Sequence, residues 1–409
     1  MSSQARRVTV LHSLPVWLPQ TERWNYDQIV HLPEWIESHI VAETAMNLTQ
    51  FPVFNLRCLS DSSILRRYWD KLLIKISVRD YLGMLSVEAR RTDSMILHSH
   101  FGYVAWANRK AAQRLGIRHI ASFYGVDASR LPASDPRWRT RYRDLFRRVD
   151  LVLCEGPHMA HCIGDLGCPE EKLIVHHLGV CVPDIPFRPR VWSPEEPLRV
   201  LIAASFREKK GIPYALAALG VLLREVPLEL TIIGDAIADP RDQAEKARIM
   251  EAVTTYNLAP HTRLLGYCSN NVLMQEAYAH HVFVSPSITA SDGDTEGGAP
   301  IGILQMAASG MPIVSTRHCD IPNILPSSAD LAEERDVPGL VNQLKWLVEN
   351  SGSWNSRLID ARQHVATNFN ACRQGLRLAE IYAEVSGTPL LEWQRSEALT
   401  SHLQVPDNA

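Results

Sequence analysis

Short apolar runs, each closed by a turn residue and followed by a stretch of helical period, recur along this chain. In its second half they are LRVLIAAS, LELTIIGDA, TRLLGYCS, VFVSPS and PIVST. In the first half they are RVTVLHSLPVW, SMILHSHFGYVA, RHIASFYGVDAS and VDLVLCEGP, separated by segments long enough for helices. Such alternation predicts parallel sheets with crossover helices, so each half is expected to be an α/β domain. Between them, VCVPDIPFRPRVWSPEEP, from Val180 to Pro197, is rich in proline and lacks periodicity, as a linker does. The expected domains are therefore 1–185 and 197–375. The run SRLIDARQHVATNFNACRQGLRLAEIYAEV reads as helical, and the tail after Arg395 as loose.

One strand exit carries distinctive chemistry. After VFVSPS, the polar tract from Thr289 to Thr295 has no helical period and reads as a loop. Gly297 and Gly298 let the backbone bend with open amides, Ala299 follows, and Pro300 suits the first turn of a helix because it lacks an N–H. That helix runs through Ser309 and ends at Gly310. Its unpaired N–H groups favour a phosphate or a hydroxyl-rich, partly anionic ligand. Glu296 stands just before it. An ionised carboxylate there either holds sugar hydroxyls and stabilises positive charge developing at an anomeric carbon, or simply caps the helix; the loop alone favours neither.

A second exit is basic. In LRVLIAASFREKKGIPYALAALGVLL, Arg207, Lys209 and Lys210 precede Gly211 between a strand and an amphipathic helix. Cations so placed suit a diphosphate, the alternative being a solvated charge cluster.

These segments resemble the retaining GT-B glycosyltransferases of family 4, the group 1 glycosyl transferases. The family pattern is Glu, Gly, small residues with Pro, an apolar stretch, then Glu-Ala-Met-Ala-x-Gly-x-Pro-Val-Val-Ser/Thr, and this chain has EGGAPIGILQMAASGMPIVST. Further segments are similar to the exopolysaccharide and colanic-acid-biosynthesis-like members: HSHFG, FYGVD, CEGPHM with Glu155, CDIPNIL and the opening LPVWLPQTERWNYDQIVHLP. The chain departs from the pattern at several points. Gln305 replaces the second acid, and the first acid lies one residue farther from it than usual. Ser205 stands where an Arg is usual, with Arg207 two residues on, and Tyr124 where many relatives have His.

The resemblance implies two Rossmann-like, doubly wound parallel-sheet domains facing across a cleft. The N-terminal one would bind the acceptor and the C-terminal one a nucleotide-sugar donor, with a helix over 376–395 crossing back to the first. It implies retaining transfer of a sugar from a nucleotide-diphosphate sugar to a carbohydrate or lipid-linked oligosaccharide of a cell-surface polysaccharide, with no metal and no cofactor. Glu296, His100 and Asp127 are the implied catalytic residues. Arg207, Lys210, Gly297, Gly298, Ala299, Pro300 and Gln305 are the implied donor-binding residues, Gln305 through a ribose hydroxyl. The departures at Ser205, Tyr124 and Gln305 leave two other readings open, a binding subunit with weak catalysis and a sugar-nucleotide epimerase.

Read from the residues alone, His100 follows the apolar run MIL and is placed at a strand end facing the ligand-binding edge of an α/β sheet; the alternative is a satisfied histidine packed under a loop. His12 invites the same two readings.

Composition narrows the function classes. The chain has 409 residues, 46% of them hydrophobic, which suits a globular protein of two or three domains, and its formal charge of -3 gives no footprint for nucleic acid. No apolar run approaches bilayer length, and MSSQARRVTVLHSL turns directly into a strand, so a cytoplasmic protein is expected. The eight cysteines lack a paired framework and are expected to be reduced; His158, His161, Cys162, Cys168 and His176 match no compact zinc spacing. Asp292-Gly293-Asp294 copies the DxD triplet of metal-dependent transferases, but its place before TEGGAP favours a solvated acidic loop. Two basic, aromatic segments remain. RWRTRYRDLFRR spaces Trp138, Tyr142, Leu145 and Val149 as a core-facing stripe, whereas SILRRYWDKLLIKISVRDYLGML is a candidate for peripheral contact with the inner face of a membrane.

Overall fold

The computed structural model describes residues 7–19, 22–76, 78–325 and 331–390, and the chain divides into two compact units. One comprises residues 1–179 and 371–409, the other residues 180–370. The tail after Arg395 lies outside the described residues.

The first unit holds a seven-stranded parallel sheet. Its strands are β1 (Val8–Trp17), β2 (Ile36–Ala45), β3 (Leu56–Cys58), β4 (Ile96–His100), β5 (Arg118–Phe123), β6 (Leu151–Cys154) and β7 (Leu173–Val175), in the order β3-β2-β1-β4-β5-β6-β7. Fully buried strands of this kind carry nearly continuous apolar runs, which is why β1, β4, β5 and β6 stand out in the sequence. β2 does not, because Glu37, Ser38, His39 and Glu43 interrupt it; its pairing with β1 from Val8↔Ile36 to Trp17↔Ala45 makes it a strand. On one face, the helix Ala371–Ser386 packs Leu378, Ile381 and Tyr382 with Val8, Val10, Ile96 and Ile120. On the other, the helix Arg137–Arg148 sinks Tyr142, Leu145 and Phe146 beside Phe123 and Val152, followed by Val149. The expected core-facing stripe is therefore present, with most of its arginines in water.

The second unit holds a five-stranded parallel sheet. It consists of β8 (Leu198–Ala203), β9 (Leu228–Ile233), β10 (Thr262–Gly266), β11 (Val282–Ser285) and β12 (Ile313–Ser315), in the order β10-β9-β8-β11-β12. Each corresponds to one of the apolar runs of the second half. The helix Ile212–Leu222 packs on one face through Ala215, Leu216 and Leu219, and the helix Ile301–Ser309 on the other through Ile303, Leu304 and Ala307.

Residues 180–196 are not a free linker. Val182 and Ile185 are buried with the Ile301–Ser309 helix, and Trp192 with β8. Arg190 is buried too, and its guanidinium donates to the carbonyls of Ala277 at 2.9 Å and Ser309 at 2.8 Å. Those carbonyls lie at the C-terminal ends of two helices, where helical partners run out. The proline-rich composition conceals these anchors, since each depends on a distant partner.

Candidate active site

In an open parallel sheet, a ligand crevice forms beyond the C-terminal strand ends where the strand order reverses. In the second unit that reversal falls between β8 and β11. The basic segment, residues 204–211, follows β8, and the glutamate loop, residues 286–300, follows β11. The topology therefore brings together the two segments that carry the chemistry.

Gly211 sets how closely they approach. Its φ is +61°, and a Cβ added there would meet the Pro286 carbonyl oxygen at 2.0 Å. With no side chain in the way, the Lys209 carbonyl accepts from the Ile288 N–H at 2.8 Å. The two lysines then reach across. Lys210 Nζ donates to both oxygens of Glu296, at 2.8 and 2.7 Å, and Ser287 Oγ donates to Oε1 at 2.7 Å. Lys209 Nζ donates to the Thr295 carbonyl at 2.7 Å and to Asp294 at 3.3 Å.

The Glu296 side chain is 6% exposed. Burial alone would push its carboxyl up, but the charges of Lys210 and Lys209 and the hydrogen bonds from Lys210 and Ser287 bring it down to about 2. Nor does it cap a helix: the N-cap of Ile301–Ser309 is Pro300, and the first turn holds no acid. The structure thus removes one of the two readings the loop left open. Gly297, with φ +81°, and the buried Gly298 and Ala299 lead into this helix start, where no side chain caps the free amides.

Two further residues fix the loop. The Glu296 N–H donates to His318 Nε2 at 3.1 Å, so His318 carries its proton on Nδ1, 2.6 Å from Glu334 Oε1. Glu334 also accepts from the Thr289 N–H at 2.8 Å and its hydroxyl at 3.1 Å. His318 and Glu334 together pin both ends of the glutamate loop. Neither residue stood out in the sequence, because neither lies in a local motif.

Other expected donor residues are placed differently. Arg207 faces Asp242 at 3.8 Å, and buried Gln305 donates to Asn270 at 3.1 Å from within its helix. The acidic triplet is not the solvated loop expected of it: Asp294 is buried against Lys209, and Asp292 pairs with Arg241 at 2.8 Å. Cations arriving from elsewhere in the fold overturn that expectation.

In the first unit the strand order reverses between β1 and β4. The register pairs His12 with His98, and His100 lies two residues farther along the same face. All three are buried. His100 Nδ1 lies 2.8 Å from the Tyr124 hydroxyl and its Nε2 3.1 Å from His12 Nδ1. His98 contacts the Tyr382 hydroxyl at 2.6 Å and Ser122 at 2.7 Å. His100 thus takes the packed alternative, with both ring nitrogens partnered. Asp127 is buried beneath the same edge, accepting from the Gly102 N–H at 2.6 Å and the Tyr124 N–H at 2.8 Å. It clamps the HSHFG turn to the FYGVD turn.

Two doubly wound units in one chain, one carrying cations and a buried carboxylate at its strand reversal, have the architecture of the GT-B glycosyltransferases. The chain belongs to the group 1, family 4 glycosyltransferases: residues 197–350 match the family model described as glycosyl transferases group 1, and residues 62–182 match Glycosyltransferase Family 4. It is 30% identical over 287 residues to the amylovoran biosynthesis glycosyltransferase AmsK of Erwinia amylovora, covering 69% of this chain and 68% of that protein. Among solved structures it is similar to Anabaena HepE in complex with UDP and glucose, with a TM-score of 0.73 at 13% identity over 92% of this chain and all of that one. It is also similar to the sucrose-phosphate synthase of Thermosynechococcus elongatus, with a TM-score of 0.69 at 15% identity over 94% of this chain and all of that one. Among the described residues, no helix is long and apolar enough to cross a membrane.

Proposed function

We propose that this glycosyltransferase moves a sugar from a nucleotide-diphosphate sugar, with retention, to a carbohydrate or lipid-linked oligosaccharide in the assembly of a cell-surface polysaccharide. The observation that carries the reading is the Lys210–Glu296 pair, a charged group of each sign at the strand reversal of one unit. Lys210, with Arg207 and the amides at Gly297 to Ala299, would bind the diphosphate and stabilise it as it leaves. Glu296, ionised throughout the neutral range, would hold the donor sugar and oppose the positive charge at its anomeric carbon. Gln305 keeps its carbonyl oxygen for a ribose hydroxyl while its amide holds Asn270. His100 and Asp127 shape the acceptor-side floor from below. Amylovoran biosynthesis in the Erwinia relative and the UDP and glucose held by the Anabaena protein support the donor and pathway classes.

The reaction would need no divalent cation, because lysines supply the positive charge and both acids of the triplet already face cations. A lipid-linked acceptor would place the work at the inner face of the membrane.

Incubation with a panel of nucleotide-sugars, with and without EDTA, tests the reading. Nucleotide release that survives the chelator, with sugar transferred in the donor's anomeric configuration, is expected. Binding without turnover would assign a binding subunit, and an isomerised donor would assign an epimerase.

A further inference from the structure

The helix Ile64–Lys75 in the first unit is turned the wrong way for a packed helix. Of its residues only Asp70 is buried, held by Arg79 and by the Gly83 N–H at 3.1 Å. Ile64 is 80% exposed, Leu65 74%, Tyr68 66% and Trp69 57%. At about 100° per residue, these four and Leu72 share an arc of roughly 140°, with Asp70 on the far side of it. A helix on a water-soluble domain ordinarily buries its apolar stripe and leaves its carboxylates in water. Here the carboxylate faces in and the stripe faces out.

The borders of that stripe are basic. Arg67, Lys71 and Lys75 follow one another at four-residue spacing along one edge, Arg66 lies along the other, and all four are exposed. With Asp70 withdrawn, the outward face of the helix has no acid. Just past its end, Ile76 and Val78 are 56% and 59% exposed. Tryptophan and tyrosine favour the level of lipid headgroups, where an apolar ring face and a polar edge are both satisfied. Long basic side chains laid beside them keep their charges at the phosphates while their stems cover apolar surface. At about 18 Å, the helix is too short to cross a bilayer and suits lying in its surface.

We propose that the outward face of Ile64–Lys75 is a docking surface for an anionic lipid bilayer. Charge complementarity selects that occupant over a second copy of the chain, whose identical face would bring like charges together. The proposal uses no residue of the donor site, so it stands or falls separately from the transfer reaction.

Vesicle co-sedimentation of the full chain at low salt tests it. Wild type is expected to bind vesicles of equal parts phosphatidylglycerol and phosphatidylcholine at least about ten-fold more tightly than pure phosphatidylcholine. The triple variant Arg67→Glu/Lys71→Glu/Lys75→Glu should lose about 100-fold, at roughly five-fold per cation. Leu65→Ser/Trp69→Ser should lose at least about ten-fold from the apolar contribution. Because these side chains are exposed, each variant should melt with wild type and keep its affinity for nucleotide. Wild type that stays in the supernatant, or folded variants that bind as wild type does, would overturn the proposal. A lipid-independent dimer abolished by Leu65→Ser/Trp69→Ser would also overturn it, assigning the face to a second copy.

Discussion

Replacing Glu296 by glutamine should lower donor turnover by about 100- to 1,000-fold, the loss typical when one preorganised electrostatic contact to the reacting centre is removed. Glutamine keeps the volume and can still accept from Ser287, so the change is almost purely one of charge. That charge is held in place by burial balanced against two lysines, which bring the carboxyl down to about 2. The effect should therefore fall on kcat across the neutral range, with no pH at which the variant recovers. Steady-state nucleotide release checks it, measured well below the melting temperature of the variant, which should remain folded but melt below wild type because Lys210 loses its partner. A folded variant turning over at the wild-type rate would reduce Glu296 to a counter-ion of Lys210.

Acidification from pH 7 towards 4.5 should destabilise the unit of residues 1–179 and 371–409 steeply. Burial, foremost, holds His100 down to about 3, His119 and His176 to about 4, and His12 and His98 well below their ordinary value. The unfolded chain protonates each near pH 6.5, whereas the folded chain does so only near those depressed values. Stability present above about pH 6.5 is thus lost as the pH falls, at about 1.4 kcal/mol per pH unit for each histidine. Asp127 acts in the opposite sense. Burial lifts its carboxyl to about 7 despite hydrogen bonds from the Gly102 and Tyr124 amides, so folding takes up a proton there and offsets one histidine. Glu296 titrates below this window. Its contribution is present above about pH 4.5 and is lost only as the pH falls towards 2. Urea midpoints at pH 7, 6 and 5 should fall in sequence, while a flat series would show that the histidines accept protons within the folded unit.

What the sequence revealed and what it concealed divide along physical lines. In the second sheet β8, β9 and β11 were legible because a central parallel strand must be apolar on both faces and so marks itself as an unbroken run, while the edge strands β10 and β12 were marked by the turns and helical segments that flank them. β2, β3 and β7 were not, since β2 is broken by polar residues and β3 and β7 are three-residue edge strands outside any motif, whereas the equally short β12 lies in GMPIVST. At the candidate site, Glu296 and Lys210 were legible because each sits in a turn after a strand, with glycine beside it. Ser287, His318 and Glu334 were not, since their importance lies in contacts to Glu296 and its loop that only the folded chain creates. His100 shows the converse. Its place at a strand end was correctly read, yet the partner that makes it a satisfied core histidine, His12, lies 88 residues away on β1.

The central claim is that a diphosphate is bound between the basic turn after β8 and the glycine-rich bend after β11. Calorimetric titration with UDP and with GDP, comparing wild type and Lys210→Met/Glu296→Gln, tests it most directly, because the double variant removes both charges and strands neither. Removing one partner alone would leave a buried charge unpaired, at about 3–5 kcal/mol. A loss of at least about ten-fold in affinity for the diphosphate that wild type prefers is predicted, with Glu296→Gln alone staying within about three-fold. A folded double variant that binds both nucleotides as wild type does would place the diphosphate elsewhere and contradict the account.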